Sequence, residues 1–442
     1  MTKLAALLGA SALALGLAVP AQADDLRAQL KGDMPELMEL YRDLHAYPEL
    51  SFQEHRTAAK LAAIARDLGF EVTESVGQTG VVAVMRNGDG PTVLLRADMD
   101  GLPVAEQTGL TFASKQVGTP ASGVESGIMH ACGHDTHMAG WVGAARLLSS
   151  NKDLWQGTLV MILQPAEELG EGARAMLDDG LFIRFPKPDY ALAFHDAAQV
   201  PAGVIGYAKG YALANVDSVN ISIPGIGGHG AYPHTAKDPI VIASALVMRL
   251  QTLVSRELNP QDPAVVTVGS FHSGTKHNII SDEAKLQITV RSYSDETRKH
   301  LLDGIARIAK AEALAAGMPD DKLPVVEVED NYTPATYNNP ELTDRVMAAL
   351  APRFEGRVIE APPVMGGEDF SLYRRADPDN IQSFILWVGG VPHDQWAKSQ
   401  SGELSLPSLH SPFWAPDAER VIATGAEALA AAAMELMPRQ SG

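Results

Sequence analysis

Between residues 34 and 204, stretches with apolar positions at helical spacing alternate with short apolar runs, the pattern of βαβ units that build a parallel sheet. Three of these runs end in an unusual way. Val93-Leu94-Leu95 leads into Asp98 and Asp100, the run over 159–163 leads into Glu167 and Glu168, and the run over 190–194 leads directly into His195. Open α/β sheets carry their sites at the carboxyl ends of parallel strands, so acidic and imidazole groups at three such ends predict one site shared by these strands.

From about residue 216 the pattern changes. It reads as a strand over 216–223, a helix over 238–258, strands over 264–271 and 283–292, a helix over 295–316 and a strand over 325–328, which is the order βαββαβ of a compact split βαβ sandwich. Ile240, Ala243, Val247, Leu250 and Val254 recur at three- and four-residue spacing and predict the apolar face of the first helix. Leu286, Ile288 and Val290 alternate with Lys285, Gln287, Thr289 and Arg291, so that strand should bury one face and open the other. After Pro334 the chain returns to apolar strands, notably over 384–388, and closes with an Ala-rich helix over 417–436. The fold class expected is α/β: a mixed, mostly parallel sheet flanked by helices over 24–212 and 332–442, interrupted by an inserted α+β unit over 213–331.

The densest chemistry lies in His130-Ala131-Cys132-Gly133-His134-Asp135-Thr136-His137, followed by a helix with an apolar stripe at Met138, Trp141, Val142, Ala145 and Leu148. Alone, Cys132 would read as a small buried apolar residue. With imidazoles and a carboxylate within five positions, Cys132 and His134 read instead as a thiolate and an imidazole turned into one cavity, a donor pair suited to a divalent transition metal and to zinc first. Gln164-Pro165-Ala166-Glu167-Glu168 adds two adjacent carboxylates where an apolar strand stops. Neighbours cannot both face one metal by simple alternation, so one of them suits ligation and the other a general base beside a bound water. His195, and His410 in Leu409-His410-Ser411-Pro412, bring the set Cys132, His134, Glu168, His195 and His410 to the five donors that two metals with a shared bridging group require.

Composition narrows the setting. With 46 % hydrophobic and 20 % charged residues the chain is an ordinary globular one, and its formal charge of −19 argues against nucleic acid or an anionic membrane as partner. Lys3, an apolar run over 4–19, Pro20 and Ala21-Gln22-Ala23 form the signature of a cleavable secretory signal over 1–23. The run is shorter than a bilayer requires and no later segment is expected to span one, so the mature chain should be exported, soluble and periplasmic. An exported protein that used disulfides would carry cysteines in pairs. Cys132 is the single cysteine of the sequence, which leaves it buried and inert or chemically employed.

The strings Arg96-Ala97-Asp98-Met99-Asp100-Gly101-Leu102-Pro103, His130 to His137, Gln164 to Glu168, Gly227 to His234 and the Gly-Gly-Glu-Asp-Phe-Ser-Leu-Tyr run from Gly366 resemble the hippurate hydrolase and auxin-conjugate hydrolase branch of the amidohydrolase/carboxypeptidase metallopeptidase family. The match runs in order from about Glu36 to the final helix. The resemblance implies a catalytic α/β domain interrupted by a smaller lid that commonly mediates a homodimer. It implies that Cys132, His134, Glu168, His195 and His410 hold two divalent metal ions, with Cys132 as the bridge and Glu167 as the base. Related carboxypeptidases carry a His where this chain has Asp98 and a bridging Asp where it has Cys132. The metal therefore stays open among zinc, manganese, cobalt and nickel. Asp100 and Asp135 are expected to orient imidazoles. In the lid, His229 is expected to polarise the scissile carbonyl, and Asn278, Arg291 and Gly367 to contact substrate, Arg291 as a bidentate partner for a carboxylate.

The reaction expected from these groups is hydrolysis of the amide bond in an N-acyl amino acid of hippurate type. The alternative on the same scaffold is a carboxypeptidase or dipeptidase acting on short peptides. A binding protein that kept the fold and lost catalysis is disfavoured by Glu167 and by five intact ligand candidates, some of which a retired site would be expected to lose.

Overall fold

The computed structural model describes residues 18–439. Most of the expected signal segment, residues 1–17, lies outside the described residues. The chain forms two compact units. One takes the residues up to Lys209, then Asn338–Ala361 and the chain from Tyr373 on; the other takes Gly210–Tyr337 and Pro362–Leu372.

The larger unit is built on an eight-stranded sheet. In spatial order its strands are Glu71–Val76, Gly80–Asn87, Gly157–Gln164, Thr92–Asp98, Tyr190–Pro201, Gln382–Val391, Ile205–Tyr207 and Val358–Glu360. The centre is parallel. Thr92–Asp98 pairs in parallel with Gly157–Gln164, ending with Asp98 opposite Gln164, and with Tyr190–Pro201 up to Arg96 opposite Ala193; Tyr190–Pro201 continues in parallel with Gln382–Val391. Antiparallel pairs lie towards both edges, which makes the sheet mixed. The central strands are buried almost without interruption, as expected of a sheet with helices on both faces.

One strand departs from expectation. The strand from Tyr190 does not stop before His195 but runs to Pro201, because Gln382–Val391 keeps pairing with it, placing Trp387 opposite His195. On its other side the pairing with Thr92–Asp98 has already ended at Ala193. His195 therefore still stands past the end of one neighbour, although it lies inside a strand.

Helices His134–Ser150 and Ala418–Leu436 pack closely on this sheet, and small residues let them do so. A Cβ on Gly140 would lie 2.7 Å from Phe194 Cζ, one on Gly425 2.5 Å from the same atom, and one on Gly143 2.7 Å from Ala426 Cβ. Phe194, on the strand beneath, is 2 % exposed and fills the space the glycines leave.

The smaller unit is an antiparallel sheet in the order Val265–Ser273, Glu283–Ser292, Asn215–Pro224, Val325–Val328, with helices Pro239–Thr252 and Asp295–Ala315 packed on it. Both helices start where the sequence signals a start. Asp238 accepts a hydrogen bond from the Ile240 N–H ahead of Pro239, and Ser294 accepts one from the Thr297 N–H. Ala284, Leu286, Ile288, Val290 and Ser292 are buried in alternation along their strand.

Three readings need correction here. The buried face of the first helix is Ile242, Ala243, Leu246 and Leu250, followed by Leu253, while Ile240 is exposed. The helix is apolar nearly all round, so helical spacing fits more than one face. For the same reason the stretch Pro239–Glu257 is long and apolar enough to cross a membrane by length and composition, against the expectation that no segment after the N-terminus would be; a third of it is buried inside the protein. Finally, Pro362–Leu372 was expected in the larger unit but belongs to the smaller one. Its backbone bonds explain this, since Val364 N–H donates to the Ala212 carbonyl and Ala214 N–H to the Gly366 carbonyl, while Thr336 Oγ1 donates to the Glu368 carbonyl.

The packing at Phe194 sets two effects against each other. Alanine favours a helix over glycine by about 1 kcal/mol, whereas forcing a methyl into a filled core costs typically about 1–3 kcal/mol. Gly425→Ala is therefore expected to lower the urea midpoint with an unchanged slope. A raised midpoint would show that helix propensity outweighs the clash.

Candidate metal centre

All the groups described first belong to the larger unit. The chain enters the centre through a tight turn ahead of helix His134–Ser150. Gly133 has φ +77°, and a Cβ there would fall 2.3 Å from Asp196 Oδ2, so only glycine fits. The turn puts Cys132 just before the helix and His134 at its first position. Cys132 Sγ lies 3.5 Å from His195 Nε2 and 3.2 Å from His410 Nε2. His410 comes from a distant loop, has φ +65° and is tied to the turn by its N–H, which donates to the Ala131 carbonyl at 2.8 Å.

Glu168 completes the arrangement. Its Oε2 is 3.5 Å from His410 Nε2 and its Oε1 is 3.9 Å from His134 Nε2. Glu167 Oε2 is also 3.9 Å from His134 Nε2. Two triads of donor atoms result, Cys132/His134/His195 and Cys132/Glu168/His410, each with its atoms within 4.8 Å of one another and both using the one thiol.

Hydrogen bonds fix which nitrogen each imidazole presents. His134 Nδ1 donates to the Asp100 carbonyl at 2.8 Å and His195 Nδ1 to the Asp196 carbonyl at 2.7 Å. Both rings therefore turn Nε2 inward, towards the thiol, the orientation that ligating histidines take from their outer partners. His134 Nε2 and Glu168 Oε1 are buried without a hydrogen-bond partner among the described residues. A lone pair and a carboxylate oxygen that face each other at 3.9 Å cannot bond to one another unless a proton or a cation lies between them, and a metal ion meets that need together with the thiol.

Other close groups include His137, with Asp98 and His134 or with His195 and Asp196. His137 is already spent. Its Nδ1 donates to Asp98 Oδ1 at 2.7 Å and its Nε2 accepts the Asp196 N–H at 2.8 Å. Asp98 is likewise held by Arg96 Nη1 at 2.6 Å, and against the effect of burial Arg96 and His134 keep its carboxyl well below the usual range. Burial, followed by Glu168, pushes the Cys132 thiol up, and burial pushes Glu168 up to about 7. A cation placed between the two would favour the ionised form of both.

The two outer groups serve different imidazoles. Asp100 meets His134 Nδ1 with both its backbone carbonyl, at 2.8 Å, and its carboxylate Oδ1, at 3.4 Å, and the same carboxylate accepts the Glu167 and Glu168 N–H groups at 3.1 Å each and the Ser51 hydroxyl at 2.6 Å. The Asp135 carboxylate reaches no ligand imidazole. It accepts the Thr136 N–H and pairs with His45 Nδ1 at 2.7 Å, and His45 Nε2 faces Glu106 at 3.0 Å. Those two carboxylates overcome burial and raise His45 to about 9. Sequence reasoning missed His45, His137 and Asp196. His137 lay inside the quoted motif, and Asp196 directly follows His195, whose Nδ1 donates to its carbonyl; for His45 no local signal marks the role, because its partners are far away in the chain.

In the smaller unit, His229 pairs with Ile279 across a two-residue antiparallel bridge, and the Asn278 carbonyl accepts the Gly230 N–H, so His229 and Asn278 lie on two paired, exposed segments. His229 Nδ1 accepts the Ala231 N–H at 3.0 Å, leaving Nε2 outward. Arg291 lies elsewhere in the unit, next to Gly367. A Cβ on Gly367 would be 2.4 Å from Val216 Cγ2 and 3.8 Å from Arg291 Nη1. Arg291 is half-buried, donates to Thr289 Oγ1 and has no carboxylate partner among the described residues.

Comparison with known proteins agrees with this chemistry. Residues 94–410 match the Peptidase family M20/M25/M40. Thermostable carboxypeptidase 1 of Saccharolobus solfataricus is 40 % identical over 362 residues, 80 % of this chain and 88 % of the relative. Hippurate hydrolase of Campylobacter jejuni is 37 % identical over 351 residues, 77 % and 87 % of the two chains. Bacillus subtilis YXEP, a dinuclear metal-binding peptidase of the M20 family, superposes with a TM-score of 0.75 at 30 % identity, over 92 % of this chain and 99 % of that one. With a family match across most of its length and a site of clustered metal donors, the chain belongs to peptidase family M20/M25/M40 and is a metal-dependent hydrolase of amide or peptide bonds.

Proposed function

We propose that this hydrolase cleaves the amide bond of N-acyl amino acids, releasing a carboxylic acid and a free amino acid, with two divalent metal ions, zinc first, held by Cys132, His134 and His195 and by Cys132, Glu168 and His410. The observation that carries the reading is the pair of donor triads sharing one thiol with a second carboxylate, Glu167, beside them. Among the relatives, hippurate hydrolase and the N-acetylcysteine deacetylase of Bacillus subtilis favour acylated amino acids, while the carboxypeptidases favour short peptides as the second reading.

When bound, such a metal pair would bring a water's pKa towards neutrality and polarise the substrate carbonyl. The chain's own groups do the rest. Glu167 accepts the proton of the attacking water and returns it to the departing amine, and Asp100 holds the backbone from which Glu167 projects. His229 supplies a donor to the developing oxyanion, Asn278 and Gly367 line the substrate, and Arg291 takes its carboxylate in a paired, bidentate bond. An unpaired, half-buried guanidinium supports that last assignment, since such a charge is costly without a partner. The same reading places the enzyme in the periplasm, on the strength of residues 1–23, and has it dimerise through the smaller unit, whose exposed Ile240, Val241 and Met248 support an apolar contact.

Three outcomes test it. Glu167→Gln is expected to cost about 10²-fold or more in kcat at full metal content, because an amide cannot accept the water's proton. Metal analysis beside turnover decides this, and a variant that kept roughly a tenth of the activity would move the base elsewhere. Cys132 should react slowly with alkylating reagents in the metal-loaded protein and quickly once a chelator has removed the metal. Equal rates in both, with Cys132→Ser still binding two metals, would remove the thiol from the set. Arg291→Ala should lose roughly a hundredfold in kcat/KM on an N-acyl amino acid and little on its C-terminal amide. A wild-type enzyme indifferent to acid or amide would show that the substrate carboxylate is not read.

A further inference from the structure

We propose that Glu54 is a positioning residue for Glu167, acting through the backbone N–H of Ala166 to hold the turn from which both glutamates project. The proposal rests on Glu167 being the base.

The strand Gly157–Gln164 ends with a demanding requirement, for within two residues the chain must reverse and present Glu167 and Glu168 side by side. It does so through Ala166, which adopts φ +48° and ψ 42°, a left-handed conformation that costs an L-residue with a Cβ roughly 1–2 kcal/mol. Ala166 is completely buried. Something must oppose its return to the right-handed region.

The N–H groups of Ala166, Glu167 and Glu168 are all bound by carboxylates. Asp100 takes those of Glu167 and Glu168, and Glu54 Oε1 takes that of Ala166 at 2.8 Å. Glu54 is itself fully buried, and its other oxygen accepts the Thr79 hydroxyl at 2.5 Å. Among the described residues it has no ion pair, and burial followed by the nearby Asp100 raises its carboxyl to about 7. A buried carboxyl without a cation contributes little to stability and would be replaced by an apolar side chain without loss if the site needed only filling. What it supplies here is a fixed acceptor for the N–H of the one strained residue before the base. Charged or protonated, it keeps an acceptor oxygen for that N–H, so the contact does not depend on its ionisation. A displacement of about 1 Å at a reacting group can cost on the order of a hundredfold in rate, which is the scale on which such an anchor matters.

The test measures kcat, KM and metal content for Glu54→Ala, Glu54→Gln, Ala166→Gly and the double variant Glu54→Ala/Ala166→Gly, with Glu167→Gln alongside. Glu54→Ala is expected to lower kcat by roughly tenfold or more, with KM changed by less than about twofold and metal retained. Glu54→Gln, which keeps an acceptor, should recover most of that loss. Glycine reaches the left-handed region without strain, so Ala166→Gly should restore the Glu54→Ala enzyme several-fold while changing kcat less on its own. Loss that neither glutamine nor Ala166→Gly repairs, or loss of metal in place of kcat, would assign Glu54 a purely structural part and overturn the proposal. Should Glu54→Ala fail to fold, Thr79→Val releases the Glu54 carboxyl without emptying its place, and an unchanged kcat there overturns the proposal equally. If Glu167→Gln stays active, the assignment of the base falls and this proposal with it; if Glu167→Gln is inactive and the Glu54 variants are not impaired, the positioning role alone is wrong.

Discussion

The structure turns on the burial of negative charge. Asp98, Asp100 and Asp196 are almost completely buried, and Glu168 and Cys132 adjoin them in the same small volume. A carboxylate withdrawn from water costs far more than a typical contact returns unless its oxygens are bonded or its charge is balanced. The three aspartates each have at least one such partner. Arg96 and His137 hold Asp98, backbone N–H groups and Ser51 hold Asp100, and the Trp414 indole N–H donates to Asp196. Among the described residues, Asp196 Oδ1, His134 Nε2 and Glu168 Oε1 are left without a hydrogen-bond partner, and the last two face one another at the centre. Two unpaired donor atoms facing each other, with the Cys132 thiol and two further imidazoles beside them, mark the place as a binding site for a cation.

The backbone carries the same logic. Strand ends and a helix start supply donors from rigid elements, as a precise centre requires. Where no regular element reaches, the chain accepts left-handed backbone, at Ala166 before the glutamate pair and at His410 in the far loop. Both are tied by their N–H groups, one to a carboxylate and the other to the Ala131 carbonyl beside Cys132. Local strain held by a specific bond keeps the donors in place without a metal having to pull them together.

The smaller unit brings a different kind of chemistry. Its groups are directional donors and a cation: an exposed imidazole beside Asn278, and a half-buried guanidinium next to a glycine that admits no side chain. One unit thus gathers the metal donors, and the other carries the groups to which the proposed function assigns the substrate. In such a division, substrate preference can vary through the second unit while the hydrolytic chemistry of the first is unchanged, in keeping with carboxypeptidases and acyl-amino-acid hydrolases among the relatives.

The strands at 92–98 and 157–164 and the βαββαβ order of the second unit were legible because alternation and capping are local properties, set by residues two to four apart. The types of donor were legible too. Cysteine, histidine and glutamate at strand ends announce metal chemistry from composition and spacing alone. The sequence could not determine which face the apolar helix Pro239–Thr252 buries, since most of its faces qualify, nor that Pro362–Leu372 would join the second unit through backbone bonds. It could not show that Asp135 serves His45, that Asp100 serves an imidazole and both glutamates at once, or that His137 is spent between two aspartates. Those facts depend on partners such as Cys132 and His410, 278 positions apart and 3.2 Å distant. Local patterning fixes what a residue can do and which element carries it; only the closed tertiary structure, through the cost of leaving any buried polar atom unpaired, decides with which partner it does so.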